Sequence, residues 1–268
     1  MNARPLLLIT LAAVLAGGAC GTPAATDAPV GPAKTASSAP PDPHALLLQS
    51  LPSVESGSVR FAVRGTDPVT GVVDAAKRSL RIDMTQKVPD PGFTLTMSFL
   101  FVDKQSWVKI ALRAAPGVTG LPKLPKAWML LDPAKLKAGG DALPDGYAEE
   151  TDPGDAGSIL RAVVDVRQTA AGHFAGTTDL TEIGAGDIVA AKTLTALGAR
   201  AKAVEFEATT DDRGRLRSVL VKIPAAGKTK ASTYEVSYRD YGTVPSPAKP
   251  AASEQQKATA TVYEMLNG

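Results

Sequence analysis

The sequence predicts an α+β domain in which helices pack on one face of a mostly antiparallel sheet. Apolar residues alternate with polar ones over many short segments, as at Val59, Phe61 and Val63, and a period of two is typical of half-buried strands. Most of these segments are joined by connections of hairpin length, which favours antiparallel pairing. Four helix signals interrupt the strands, and helices inserted into such a sheet must cover one of its faces.

Three of the four expected helices begin at an Asp-Pro pair, in which Asp can cap the helix and Pro can occupy its first turn. The third of these helices is expected to run through Val163-Val164. The fourth is expected from Asp187 to Leu197, with Gly198 as its stop signal. The three pairs are Asp42-Pro43, Asp132-Pro133 and Asp152-Pro153.

The alternation predicts eight or nine strands. The segment Ala114–Lys126 interrupts them; it is rich in Gly and Pro, has no period, and is expected to be a long loop, either a functional flap or a plain surface excursion. The expected strands are Val59–Val63, Thr70–Ala76, Leu80–Met84, Phe93–Phe101, Trp107–Leu112, His173–Leu180, Val204–Ala208, Arg215–Ile223 and Thr233–Tyr241.

The N-terminal residues have the three parts of a secretory signal: the charge at Arg4, the apolar stretch Leu6–Leu15, and small residues up to the cleavage point. This run is too short for a bilayer core, which needs about 20 apolar residues. Cys20, the single cysteine, follows where a lipoprotein signal places its acylated residue, although Gly17 replaces the usual leucine. The alternative is an ordinary secreted protein with a chance cysteine.

Four regions follow from these patterns. Residues 1–19 form the signal peptide, and residues 20–43 hold the acylated Cys20 and a disordered tether rich in Pro and Ala. Residues 44–247 form the folded domain, and residues 248–268 form a tail with room for a short helix. The expected location is the outer, extracytoplasmic face of the cell membrane, with the lipid anchor holding the protein there.

The sequence carries no motif for catalysis or for a cofactor. His44 and His173 are expected to be solvated, and neither has a Cys, Asp or Glu at the spacing of a metal site or triad. Gly227-Lys228-Thr229 lacks the first glycine of a phosphate-binding loop, because Lys222 stands there. Only Arg4 of the 29 basic residues lies in the signal, and the remaining 28 nearly balance 27 acidic ones, which argues against a nucleic-acid partner. We expect no enzyme activity, cofactor or metal.

Apolar residues of the strands are expected to share the face of the sheet that meets the helices. That face can close on the helices as a dry core or stand apart from them as a pocket, because apolar alternation reports burial and does not distinguish the two. Aromatic residues make up only 5% of the chain, which favours an aliphatic interior suited to flexible chains. The candidate cavity-lining residues are Phe61, Leu95, Met97, Phe99, Ile110, Phe206, Val219 and Val221.

Two stretches carry a likeness to a known family. One is the turn Asp211–Leu216, which precedes a strand, and the other is the Asp-Tyr-Gly ending at Asp240–Gly242. With the cysteine signal, the tether, the opening helix and the hairpins, this order resembles the actinobacterial LppX/LprAFG-like lipoproteins, which are related in fold to the LolA and LolB lipoprotein carriers. The resemblance covers residues 44–247. Gly17 and the tail after Pro250 depart from the family pattern.

The resemblance implies a half-barrel, in which a curved antiparallel sheet has helices packed on its concave face. It also implies a hydrophobic cavity between sheet and helices that accepts acyl chains of lipids or glycolipids, which such proteins carry or present across the cell envelope. The expected partners are therefore an acylated lipid or glycolipid, the membrane, and an envelope transporter or other protein. The alternative is an interaction or sensor lipoprotein with a packed core that binds a protein through its convex surface.

Overall fold

The structure is a computed structural model that describes residues 41–65, 68–90, 92–137, 151–183 and 188–267. The predicted signal peptide, Cys20 and the tether up to residue 40 lie outside the described residues. Pro41–Gly268 forms one compact unit.

Within the described residues, 12 strands form a single curved sheet, which is the body of this unit. The sheet is open, because its two edge strands do not pair with each other. The strands are β1 (Val59–Arg64), β2 (Val69–Asp74), β3 (Ser79–Val88), β4 (Phe93–Val102), β5 (Gln105–Ala114), β6 (Trp128–Leu130), β7 (Val163–Ala170), β8 (His173–Thr178), β9 (Val204–Thr210), β10 (Leu216–Ile223), β11 (Ser232–Arg239) and β12 (Gln255–Lys257). Their order across the sheet is β12-β6-β5-β4-β3-β2-β1-β11-β10-β9-β8-β7. Every neighbouring pair is antiparallel except β12 and β6, which are parallel.

In the described part of the chain, four short α-helices accompany the sheet, so the predicted α+β class with a mostly antiparallel sheet is confirmed. Helix α1 contacts β7 and α2, and the buried apolar side chains of α1, α2, α3 and α4 belong to the same main core as the sheet. The helices are α1 (Pro43–Ser50), α2 (Ala156–Arg161), α3 (Ala191–Leu197) and α4 (Ala260–Asn267).

The helix signals had mixed outcomes. Helix α1 begins as predicted, with Pro43 in its first turn and the Asp42 carboxylate accepting a hydrogen bond from the His44 backbone N–H at 3.1 Å. At Asp132 the chain makes only a three-residue 3₁₀ turn. Helix α3 begins at Ala191, later than expected, and Asp187, the first residue of that prediction, lies outside the described part of the chain.

The prediction that Val163-Val164 continue the third helix is wrong. Helix α2 ends at Arg161, and Val163 begins β7, where it lies opposite Thr178 of β8. Valine is stiff at its first side-chain torsion and fits a strand better than a helix, and pairing with β8 satisfies the backbone there. The strand was hard to recognise because two register shifts, near Val163/Asp165 and Gln168/Ala170, interrupt its period of two.

The segment after residue 247, which the sequence set apart as a tail, is part of the folded unit. Strand β12 pairs with β6 at the edge of the sheet, and the Trp107 indole N–H donates to the Gln255 side chain at 2.8 Å. Helix α4 buries Val262, Tyr263 and Leu266 in the main core. Both β6 and β12 have only three residues, too few for an alternation to show in the sequence.

Candidate functional site

All eight candidate cavity-lining residues lie on one face of the sheet, which we call the inner face. The register makes this face continuous: Phe61 lies opposite Gly71, Gly71 opposite Ile82, and Ile82 opposite Phe99. On the other side of β1, Val63 lies opposite Val236 of β11. The remaining pairs are Met97 with Ile110, Leu95 with Leu112, Val219 with Val236, and Val221 with Phe206.

Six of the eight residues lie in a packed core, and α1 and α2 contribute to the same core. Phe61 and Phe206 are each 1% exposed, and Ile159 and Leu160 of α2 are fully buried in the same cluster. These residues form a packed core, which is one of the two arrangements that apolar alternation leaves open. The six are Phe61, Phe99, Ile110, Phe206, Val219 and Val221.

Toward one end of β3, β4 and β5, the apolar side chains of the inner face become more exposed. Along β4, Phe101 and Phe99 are each 7% exposed, whereas Met97, Leu95 and Phe93 are only half-buried. The neighbouring strands follow the same gradient, from fully buried Leu80 to half-buried Met84 on β3. We call five of the half-buried apolar residues in this region the open stretch; they are Met84, Phe93, Leu95, Met97 and Leu112.

The open stretch marks what we call the mouth end of the sheet, where β3 and β5 end and β4 begins. The loop between β5 and β6, residues 115–127, starts there, and its Leu124 packs against the main core. The predicted long loop therefore borders the open stretch. The sequence also suggested Met84 as an adaptable methionine of the pocket, whereas Phe93 and Leu112 were not chosen, although they share the same alternation.

A set of buried hydrogen bonds holds the α2 segment on the inner face. The Tyr238 hydroxyl donates to the Asp152 carboxylate, and the Tyr234 hydroxyl donates to the Gly154 carbonyl at 2.9 Å. Asp152 also accepts from the backbone N–H of Ala156 at 3.2 Å and of Gly157 at 2.5 Å. Burial, and then the neighbouring Asp152 carboxylate, raises the pKa of Tyr238 well above its usual value. We call these contacts the tyrosine latch.

The expectation that His44 is solvated is wrong. Its Nε2 atom lies 2.8 Å from the Leu160 carbonyl oxygen in a part-buried hydrogen bond, which joins α1 to α2. His173 is exposed, as expected. The two histidines lie on separate elements, α1 and β8, and His44 has a structural role.

The two stretches that carry the family likeness contact one another. The Arg215 guanidinium lies 4.5 Å from the centre of the Tyr241 ring, and the Tyr241 hydroxyl donates to the Leu216 carbonyl at 2.7 Å. Asp211 accepts from the backbone and side chain of Arg215 and from the Arg213 backbone. Burial opposes ionisation of Asp211, but these hydrogen bonds outweigh it and lower the pKa of its carboxyl. The junction joins the β9–β10 turn to the end of β11 and has no free nucleophile.

Within the described ranges, no three His, Cys, Asp or Glu side chains lie close enough together to hold a metal ion. Two clefts lie away from the open stretch. One, of about 660 Å³, is bordered by α4 and Lys135. The other, of about 890 Å³, lies where β9, β10 and β11 meet the mouth end and is lined by Arg200, Ala203, Lys222, Ile223, Pro224 and Ala231, among others.

None of the helices in the described part of the chain has the length and apolar character needed to cross a membrane. No protein-family model matches the chain, and no curated protein matches it. The chemistry of its surfaces is therefore the basis for assigning a function.

Proposed function

We propose that the protein binds the acyl chain of a lipid or glycolipid along the open stretch and carries or presents it across the cell envelope. The observation that supports this is the burial gradient along β4, from nearly buried Phe99 to half-buried Leu95 and Phe93. A sheet face that is mostly apolar but covered only in part offers a flexible apolar chain a surface continuous with the core.

The dimensions and composition of the open stretch suit an acyl chain. From Phe93 to Met97, β4 extends about 13 Å at roughly 3.3 Å per residue. Met84 and Met97 are unbranched and polarisable, so they adapt to a flexible ligand. Burying about eight methylene groups at about 0.8 kcal/mol each contributes about 6 kcal/mol, enough to offset part of the cost of taking the chain from a membrane.

The proposal includes the membrane anchor. An acylated Cys20 followed by a tether would keep the domain on the outer face of the membrane while it exchanges lipid, as in the LppX/LprAFG-like lipoproteins that the sequence resembles. The half-barrel relationship to LolA and LolB belongs to the same proposal, supported by the open, curved sheet. No catalytic step is assigned to the protein.

The test is lipid mass spectrometry on the full-length protein purified from a related host. We expect an acyl lipid in stoichiometric amount, and a loss of at least tenfold in the variant Leu95→Gln, which places an amide in the open stretch. The matched control is Thr96→Gln, one residue along on the opposite face of β4. We expect that control to retain the lipid.

Two results would refute this assignment. One is the absence of bound lipid from the wild-type protein together with no uptake of added fatty acid or phospholipid. The other is equal lipid content in Leu95→Gln and Thr96→Gln. Either result would favour the alternative of a packed domain that binds a protein partner.

A further inference from the structure

The mouth end of the sheet also carries an excess of positive charge. Through the antiparallel registers, the connections 65–68, 89–92, 115–127, 179–203 and 224–231 all lie at this end. By sequence, these connections hold seven cationic residues against five acidic ones, Asp67, Asp90, Asp179, Glu182 and Asp187. The seven are Lys123, Lys126, Lys192, Arg200, Lys202, Lys228 and Lys230.

Five of these cations come from two chain segments that touch. Helix α3 and the 3₁₀ turn after it form one segment, and the β10–β11 turn forms the other; a Cβ added at Gly227 would lie 3.5 Å from the Ala196 Cβ. The cleft of about 890 Å³ lies between the same segments. We call the five exposed cations the basic patch; they are Lys192, Arg200, Lys202, Lys228 and Lys230.

Some exposed cations elsewhere in the described chain have an ion-pair partner, whereas those of the basic patch have none. No ion pair between described residues involves any of the five. At the opposite end of the sheet, Lys77 pairs with Asp74 at 3.9 Å, and Arg215 pairs with Asp211 at 2.6 Å. Glu205 in the lining of the cleft offsets only part of this charge, so the five exposed cations leave a net positive charge on adjacent segments, which attracts an anionic surface.

From this cluster of exposed cations we infer that the mouth end docks on a bilayer that contains anionic phospholipid, with the basic patch against the headgroup phosphates. Apolar side chains at the same end fit this partner: Val118 and Leu121 of the loop are part-exposed, beside Lys123 and Lys126. Docking in this orientation turns the open stretch toward the membrane. The inference rests on the proposed function, because it specifies where that site meets its lipid source.

The test measures partition of the chain from Gly21 onward into vesicles, which omits only residues outside the compact unit Pro41–Gly268. We expect tighter binding to vesicles with about 30% phosphatidylglycerol than to pure phosphatidylcholine vesicles, and loss of the difference at about 0.5 M salt. The double variant Lys228→Gln, Lys230→Gln should bind the anionic vesicles about tenfold to thirtyfold more weakly.

The matched control is Lys104→Gln, Arg213→Gln, which removes the same charge from exposed turns at the opposite end. Equal weakening by both double variants, or equal binding to neutral and anionic vesicles, would overturn the inference. So would binding of inorganic phosphate with no preference for anionic vesicles. Failure of the proposed function alone has a different signature: Leu95→Gln and wild type would then carry equal lipid, while vesicle binding would still depend on Lys228 and Lys230.

Discussion

The tyrosine latch predicts how strongly the α2 segment is held on the inner face. Tyr238 is 2% exposed and donates its hydroxyl hydrogen to the Asp152 carboxylate. Tyr238→Phe removes that donor and leaves Asp152 with its bonds from Ala156 and Gly157. Because a hydrogen bond to a charged group contributes about 1.5–3 kcal/mol, we expect the free energy of unfolding to fall by about that amount.

Tyr234→Phe is the matched comparison, since it removes a hydroxyl that donates to the uncharged Gly154 carbonyl. We expect it to cost about 1 kcal/mol, less than Tyr238→Phe. Urea unfolding monitored by circular dichroism measures both, and an unchanged slope with denaturant shows that only stability has changed. Hydrogen exchange should show faster opening of Ala156–Arg161 in Tyr238→Phe. Equal costs in the two variants, or no cost in Tyr238→Phe, would refute a charged latch.

Three further outcomes test the packing. Gly71→Ala should lose about 1–3 kcal/mol or more in urea unfolding, because an added Cβ would overlap the Arg81 backbone oxygen and lie 2.5 Å from the Phe61 ring. Burial raises the pKa of Tyr238 and Tyr241, so the folded state holds their protons more tightly; the contribution of these tyrosines to stability should be constant below pH about 10 and fall above it by about 1.4 kcal/mol per pH unit for each tyrosine, a slope that their Phe variants flatten. Truncation after Pro250 should lower the urea midpoint, whereas an independent tail would leave it unchanged.

The elements that the sequence predicted well are those whose signal is local. Asp42 and Pro43 lie beside the backbone groups that they cap or shape, so α1 could be placed within a residue. The alternation at Phe93–Phe101 predicts a single strand with one apolar face, and β4 is such a strand. The helix prediction for Val163-Val164 was wrong because pairing with β8 decided the structure of this segment, and that partner lies on a separate strand.

The candidate site shows the same division. Alternation selected eight residues of one face, and the register places all eight there. It did not separate Phe99, which is 7% exposed, from half-buried Leu95 on the same strand. That distinction depends on how far α1, α2 and the 115–127 loop reach across the sheet, and no periodicity within β4 carries this information.

The sequence by itself determined the α+β class, the mostly antiparallel sheet and the apolar side of its strands, because side-chain alternation and capping act between near neighbours. The lipid anchor at Cys20 stays a prediction from sequence. Only the tertiary structure decided that β12 and α4 complete the domain, that Arg215 meets Tyr241, and that the inner face is uncovered at the same end as the basic patch. These features join residues far apart in the chain, and burial and charge at such places depend on what the fold brings together.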